Sequence, residues 1–173
     1  MRPLTKITLT GLFAALAVAL NYALIAIPQV KLFNLVIFSA GYFLGMRGGA
    51  LAGGVAAAIY SIFNPYNLGM FPPLPLLATQ VIAMSVVGAA GGYFKAIGFF
   101  GTKRSMQMLK AGAVGLILSV FYNIVVTASG AYLFGAFKEA FIVAIPAMLL
   151  NIGSNVVVFV ILFPLIIPLE KKL

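Results

Sequence analysis

Apolar residues fill most of the chain in long segments, and short stretches with prolines, glycines or charges interrupt them. Continuous apolar runs are typical of helices that cross a membrane, whereas transmembrane β-strands alternate apolar and polar residues. The pattern predicts six helices, which lie at Leu4–Ile27, Leu32–Met46, Gly48–Asn64, Leu74–Ala96, Met108–Phe134 and Phe137–Pro168. The second and third are short for a membrane span, and the sequence GMRGG joins them in a tight turn. We therefore expect an all-α, polytopic membrane protein built as a six-transmembrane-helix bundle.

Composition supports lipid as the solvent for much of this chain. Of its 173 residues, 64% are hydrophobic and 8% are charged. Soluble domains average roughly 45–50% apolar residues, so a soluble core of this size would leave much apolar surface in water. Six spans of about 20 residues would occupy about 120 residues. Residues 1–173 are therefore expected to form a single transmembrane domain.

The cations lie at the ends of the apolar segments and predict the orientation of the bundle. With six crossings, Lys31 and Lys138 fall on one side, and the other nine lysines and arginines fall on the opposite side. Cytoplasmic loops carry such an excess of basic residues, so both termini and the 95–110 loop are predicted to be cytoplasmic. The net charge of +9 does not indicate nucleic-acid binding, because the sequence has no dense basic tract with interleaved aromatic residues.

Few residues in this chain are suited to catalysis. It contains no cysteine and no histidine, and its only acidic residues are Glu139 and Glu170. These absences remove thiol chemistry, the usual general base, the usual metal ligands and paired carboxylates. We expect no catalytic residue, no metal and no cofactor.

Polar side chains recur within the later helices. Gln80 lies in the fourth predicted helix, Tyr122 and Asn123 lie in the fifth, and Asn151 and Asn155 share one face of the sixth. One interpretation is interhelical hydrogen bonding, which contributes about 1 kcal/mol for each bond in a membrane. Because three helices contribute, the set as a whole favours a polar-lined cavity that binds a substrate.

The uncharged sequence FNPYNLGMFPPLPLLATQ, residues 63–80, is predicted to face outward and to form part of the same pocket. Asn64, Tyr66 and Asn67 could bond or stack on a flat ligand, and the prolines would hold the segment extended. The alternative is a stiff connector at the membrane interface. Lys31 and Lys138 could meet an anionic ligand group, although interfacial lysines are more often membrane anchors.

A stripe of small residues runs along the first helix at every fourth position: Gly11, Ala15, Ala19 and Ala23. Small residues allow two helices to approach closely in lipid. The stripe predicts either packing inside this bundle or docking onto the helices of a partner.

The sequence resembles the substrate-binding S component of energy-coupling factor (ECF) transporters, the bacterial vitamin importers. The resemblance covers the whole chain. It is carried by GLFAALAVAL, by VIFSAGYFLGMRGGALAGGVAAAIYSIFNPYN with PLPLLATQVIAMSVVGAAGG, and by FYNIVVTASGAYLFG and LLNIGSNVVVFVILFPLI.

This resemblance implies a multi-pass protein of the bacterial cytoplasmic membrane that captures a vitamin-like nutrient from outside. It implies that Ala15 and Ala19, extended by Ala23, dock on a transmembrane coupling subunit, and that partner ATPases hydrolyse ATP. It also implies an outward-open pocket formed by the later helices and outer loops. A pocket without histidine or carboxylate favours a neutral, flat or largely apolar ligand.

Two other functions remain open from the sequence. One is a membrane accessory subunit of a lipid or prenyl biosynthetic system, and the other is a stand-alone small-solute carrier. The absence of intramembrane acidic residues disfavours ion-coupled transport.

Overall fold

The computed structural model describes residues 3–27, 29–65, 70–101, 103–135 and 137–172. Its helices are α1 (Pro3–Ala23), α2 (Phe33–Ile62), α3 (Leu74–Ala96), α4 (Arg104–Phe134) and α5 (Phe137–Ile166), followed by a short 3₁₀ helix (Ile167–Lys172). Within these ranges, five helices are long and apolar enough to cross a membrane. The all-helical prediction is thus confirmed. The bounds of α3 are those predicted, whereas α1 ends four residues before the predicted Ile27.

The second and third predicted helices form one element, α2, which is broken at Gly45. Gly45 has φ 83° and ψ 173°, a conformation open almost only to glycine. A Cβ atom built on Gly49 would lie 2.4 Å from the Gly41 Cα, and one built on Gly53 would lie 2.9 Å from the Ile37 side chain. In each of these pairs, one residue precedes Gly45 by as many positions as the other follows it. In a continuous helix, the eight residues from Gly41 to Gly49 would span about 12 Å. The two halves of α2 therefore fold back on each other as an antiparallel hairpin.

Glycines let α3 pack directly on the backbone of this hairpin. A Cβ atom on Gly88 would lie 2.0 Å from the Gly49 carbonyl oxygen, and one on Gly91 would lie 2.0 Å from the Phe38 carbonyl oxygen. Helices in lipid associate through such close packing because lipid tails remove the usual hydrophobic driving force between them. The hairpin and α3 form the most intimate interface of the bundle, while α4 packs on α5 and α1 packs on α2.

An aromatic core occupies one half of the bundle. Phe38 is fully buried, and its ring centroid lies 5.1 Å from that of Phe163 and 5.5 Å from that of Phe159. Lys95 and Lys110 lie over the outer rings of this core, above Tyr42 and Phe99. The other half of the bundle contains the buried amides and the cavities described next.

Candidate functional site

The connection between α1 and α2 is fastened across the bundle to α5. Gln29 adopts a left-handed backbone conformation, with φ 61°. Its carbonyl oxygen accepts hydrogen bonds from Ser154 Oγ, at 2.8 Å, and from Asn151 Nδ2, at 3.3 Å. These contacts hold the connection over the end of the bundle that is remote from the aromatic core.

Two cavities lie beneath and beside this connection. The larger has a volume of about 390 Å³, and its polar lining comes from Asn21, Gln29, Lys31, Tyr60 and Asn64. The smaller has a volume of about 30 Å³ and reaches further into the bundle, where Asn34, Ser61, Tyr122 and Asn151 line it. Asn21, Lys31 and Tyr60 line both cavities, so the two adjoin. The larger volume is typical of pockets for small organic ligands.

A ladder of asparagines between α4 and α5 supports the inner wall. Asn123 Nδ2 donates to Asn151 Oδ1 at 2.9 Å and to the Ser119 carbonyl oxygen at 2.8 Å. Asn155 Nδ2 donates to the Asn151 carbonyl oxygen at 2.9 Å. The ladder fixes the Asn151 side chain, which both lines the small cavity and bonds Gln29.

The predicted site residues divide into three groups. Asn64, Tyr122 and Asn151 line the cavities. Gln80, Asn123 and Asn155 lie behind the walls: Gln80 accepts a hydrogen bond from Ser61, and the other two belong to the asparagine ladder. Tyr66 and Asn67 lie outside the described residues.

Residues 63–80 are predicted to form part of the pocket. Asn64 of this segment lines the larger cavity and residues 66–69 lie outside the described residues, while the connection between α1 and α2 supplies most of the lining of that cavity. Phe63 and Phe71, which belong to this predicted loop, are both exposed. Asn21, Gln29 and Asn34 were missed. The position of Asn21 could have been predicted from the sequence. It shares the buried face of α1, at helical spacing, with Ala14, Ala17 and Val18.

The small-residue stripe lies on the opposite face of α1. Gly11, Ala15, Ala19 and Ala23 are all exposed, and a Cβ atom on Gly11 would meet no atom within 4 Å. Packing inside the bundle therefore does not account for this stripe. Docking onto a partner stays a prediction.

Comparison with protein families, with curated proteins and with solved structures finds no match to this chain.

Proposed function

We propose that this protein is a membrane-embedded binding subunit that captures a small, vitamin-like organic nutrient, as the S component of an ECF-type importer does. The observation that carries the proposal is the 390 Å³ cavity beneath the connection between α1 and α2. The Gln29 carbonyl oxygen in that connection accepts hydrogen bonds from two α5 side chains, and those two bonds can break without unfolding a helix. A covered, polar-lined cavity at one end of a helical bundle suits capture and release of a solute.

In this proposal the chain crosses a bacterial cytoplasmic membrane six times, because the two halves of the α2 hairpin cross the bilayer in opposite directions. The distribution of charge supports the orientation. Lys6 and Arg47 line one groove, and Lys95 lies beside Tyr42, in the same half of the bundle as the aromatic core. Lys31 lies at the cavity end. By the positive-inside rule both termini face the cytoplasm, and the cavities face outward.

The exposed stripe on α1 is the proposed contact for a transmembrane coupling subunit. Partner subunits would supply the ATP hydrolysis, so this chain has no catalytic role of its own. Ala15→Leu and Ala19→Leu should prevent assembly with the coupling subunit while leaving solute binding intact, because both positions are exposed and neither lines the cavities. Loss of solute binding in the same variants would contradict the separation of the two surfaces.

The direct test of capture is to identify the compounds that denatured protein releases. Protein purified in mild detergent from cells grown in rich medium should release one organic compound in a stoichiometric amount. Rebinding of that compound to stripped protein should weaken in Asn64→Leu, since Asn64 lines the larger cavity, and should be unchanged in Ile59→Ala, an exposed position in the last turn of the preceding helix α2. Release of phospholipid alone would contradict the proposal and favour the accessory-subunit function.

A further inference from the structure

Lys31 occupies an unusual position for an interfacial lysine. It is half-buried between α1 and α2, and it lines both cavities. Burial lowers the pKa of its ammonium group. A lysine that only anchors the protein at the membrane surface would keep its charged group in water, where it is fully solvated.

The described residues around Lys31 offer no compensating charge. Within the described ranges, no ion pair and no hydrogen bond involves its side chain. The only acidic residues in the sequence are Glu139 and Glu170. Glu139 is exposed in the first turn of α5, and Glu170 follows the opposite end of that helix. Partly buried charges are normally paired, because removing an unpaired charge from water is costly.

Two buried amides in the same walls also lack hydrogen-bond partners among the described residues. Asn21 and Asn34 are each 4% exposed, and the residues that the structure describes provide neither side chain with a hydrogen bond. Asn21 lines both cavities, and Asn34 lines the small one. Buried polar side chains are nearly always hydrogen-bonded, since an unsatisfied one costs about 1–3 kcal/mol. An ammonium and two amides therefore converge on adjoining cavities with their bonding capacity unused.

Resting on the proposed binding function, we infer that the captured solute is a small organic monocarboxylate, whose carboxylate group is held by Lys31, Asn21 and Asn34 where the two cavities adjoin. The ammonium and the amide N–H groups donate, and the two carboxylate oxygens accept. The small cavity receives the compact charged group, and the larger cavity holds the rest of the molecule. This assignment replaces the neutral ligand expected from the sequence.

Lys31, the cation that lines both cavities, sets the charge of the solute. One ammonium neutralises one carboxylate, whereas a phosphate dianion would bring a second charge that the surrounding side chains leave uncompensated. A charge that is removed from water without a compensating partner weakens binding. The site should therefore select a monoanion over both a neutral amide and a dianion.

The test is affinity selection from a library of aromatic and aliphatic monocarboxylic acids, each paired with its primary amide of the same carbon skeleton. Purified full-length protein in detergent is incubated with the mixture, separated by size exclusion, and analysed by mass spectrometry for retained compounds. Acids should be retained in preference to their amides. Lys31→Met should weaken retention of the acids by roughly 10- to 100-fold, the range expected for a hydrogen bond to a charged group, and Lys31→Arg should restore part of it.

Lys138→Met is the matched control, because Lys138 is exposed and lines neither cavity. It should retain the acids as the unmodified protein does. Circular dichroism and thermal unfolding establish that Lys31→Met is folded, and Lys31→Arg provides a second variant that keeps the charge.

Equal retention of acids and amides would overturn the inference, as would undiminished retention of acids by Lys31→Met. Retention of neither set would also contradict it. None of these results touches the proposed function, which fails if denatured protein releases no organic solute or releases phospholipid alone.

Discussion

Replacing Gly88 by alanine tests the packing of α3 on the α2 hairpin. The added Cβ would lie 2.0 Å from the Gly49 carbonyl oxygen and 2.4 Å from its carbonyl carbon. A carbon atom and a carbonyl oxygen rest at roughly 3.3 Å or more, so the two backbones must separate by about 1.3 Å. Backbone atoms of two packed helices cannot move aside individually as the end of a long side chain can.

The cost follows from the contacts that this separation weakens. A gap of about 0.5–1 Å already forfeits a quarter to a half of the dispersion energy between two atoms. Gly41, Gly49 and Gly92 make similarly close approaches across the interface and would separate together. Overpacking typically costs about 1–3 kcal/mol, and we expect Gly88→Ala near the upper end of that range.

Gly153→Ala is the matched control. Gly153 is helical and exposed, and a Cβ atom there would meet no atom within 4 Å. Alanine should stabilise this position by about 0.5–1 kcal/mol through its higher helix propensity. The assay is reversible unfolding of the purified protein by SDS in mixed micelles, followed by far-UV circular dichroism. Unfolding of both variants at the same SDS fraction would refute the proposed interface.

Three further predictions concern the turn at Gly45, the connection between α1 and α2, and the charge of Lys31. Gly45→Ala should lower the free energy of unfolding by about 1–3 kcal/mol, because φ 83° with ψ 173° strains any side chain; unchanged SDS unfolding would contradict this. Asn151→Leu removes a bond to Gln29 worth about 1 kcal/mol, so hydrogen exchange of residues 29–32 should accelerate, whereas the outward-facing Leu150→Ala should leave it unchanged. Binding of a carboxylate probe should weaken as pH rises through the lowered pKa of Lys31, because the ammonium then loses its proton. Tyr60 and Tyr122 also line the cavities, so the loss of binding has to be assigned to Lys31 and not to these tyrosines. Lys31→Arg makes this assignment, because arginine keeps its charge and the variant should bind the probe up to a higher pH than the unmodified protein does.

Local features of the sequence predicted most of the helical architecture. The bounds of α3 follow from Pro73, which precedes its first turn, and from the apolar run that ends near Lys95. The turn between the halves of α2 was predicted at GMRGG, residues 45–49, and the chain reverses at Gly45, the first residue of that sequence. Both features depend on residues close together in the chain, where propensity and spacing carry the information.

The candidate site depends on long-range contacts that no local pattern reveals. The bonds from α5 to Gln29 join residues more than 120 positions apart. The left-handed conformation of Gln29 turns its carbonyl oxygen towards those donors, although glutamine has no preference for that conformation. Lys31 was therefore interpreted from its place at the end of an apolar segment, and its position in the cavity wall became visible only when the connection was seen folded over the bundle.

The most direct test of the account is native mass spectrometry of the intact protein with a variant that fills the cavity. Val30 is half-buried in the lining of the larger cavity, so Val30→Trp should occupy its volume, whereas Val143→Trp changes a valine that is 79% exposed on α5. The spectra should show one bound organic solute on the unmodified protein and on Val143→Trp, and none on Val30→Trp. An unmodified protein without a bound solute, or a solute that persists in Val30→Trp, would contradict capture in this cavity.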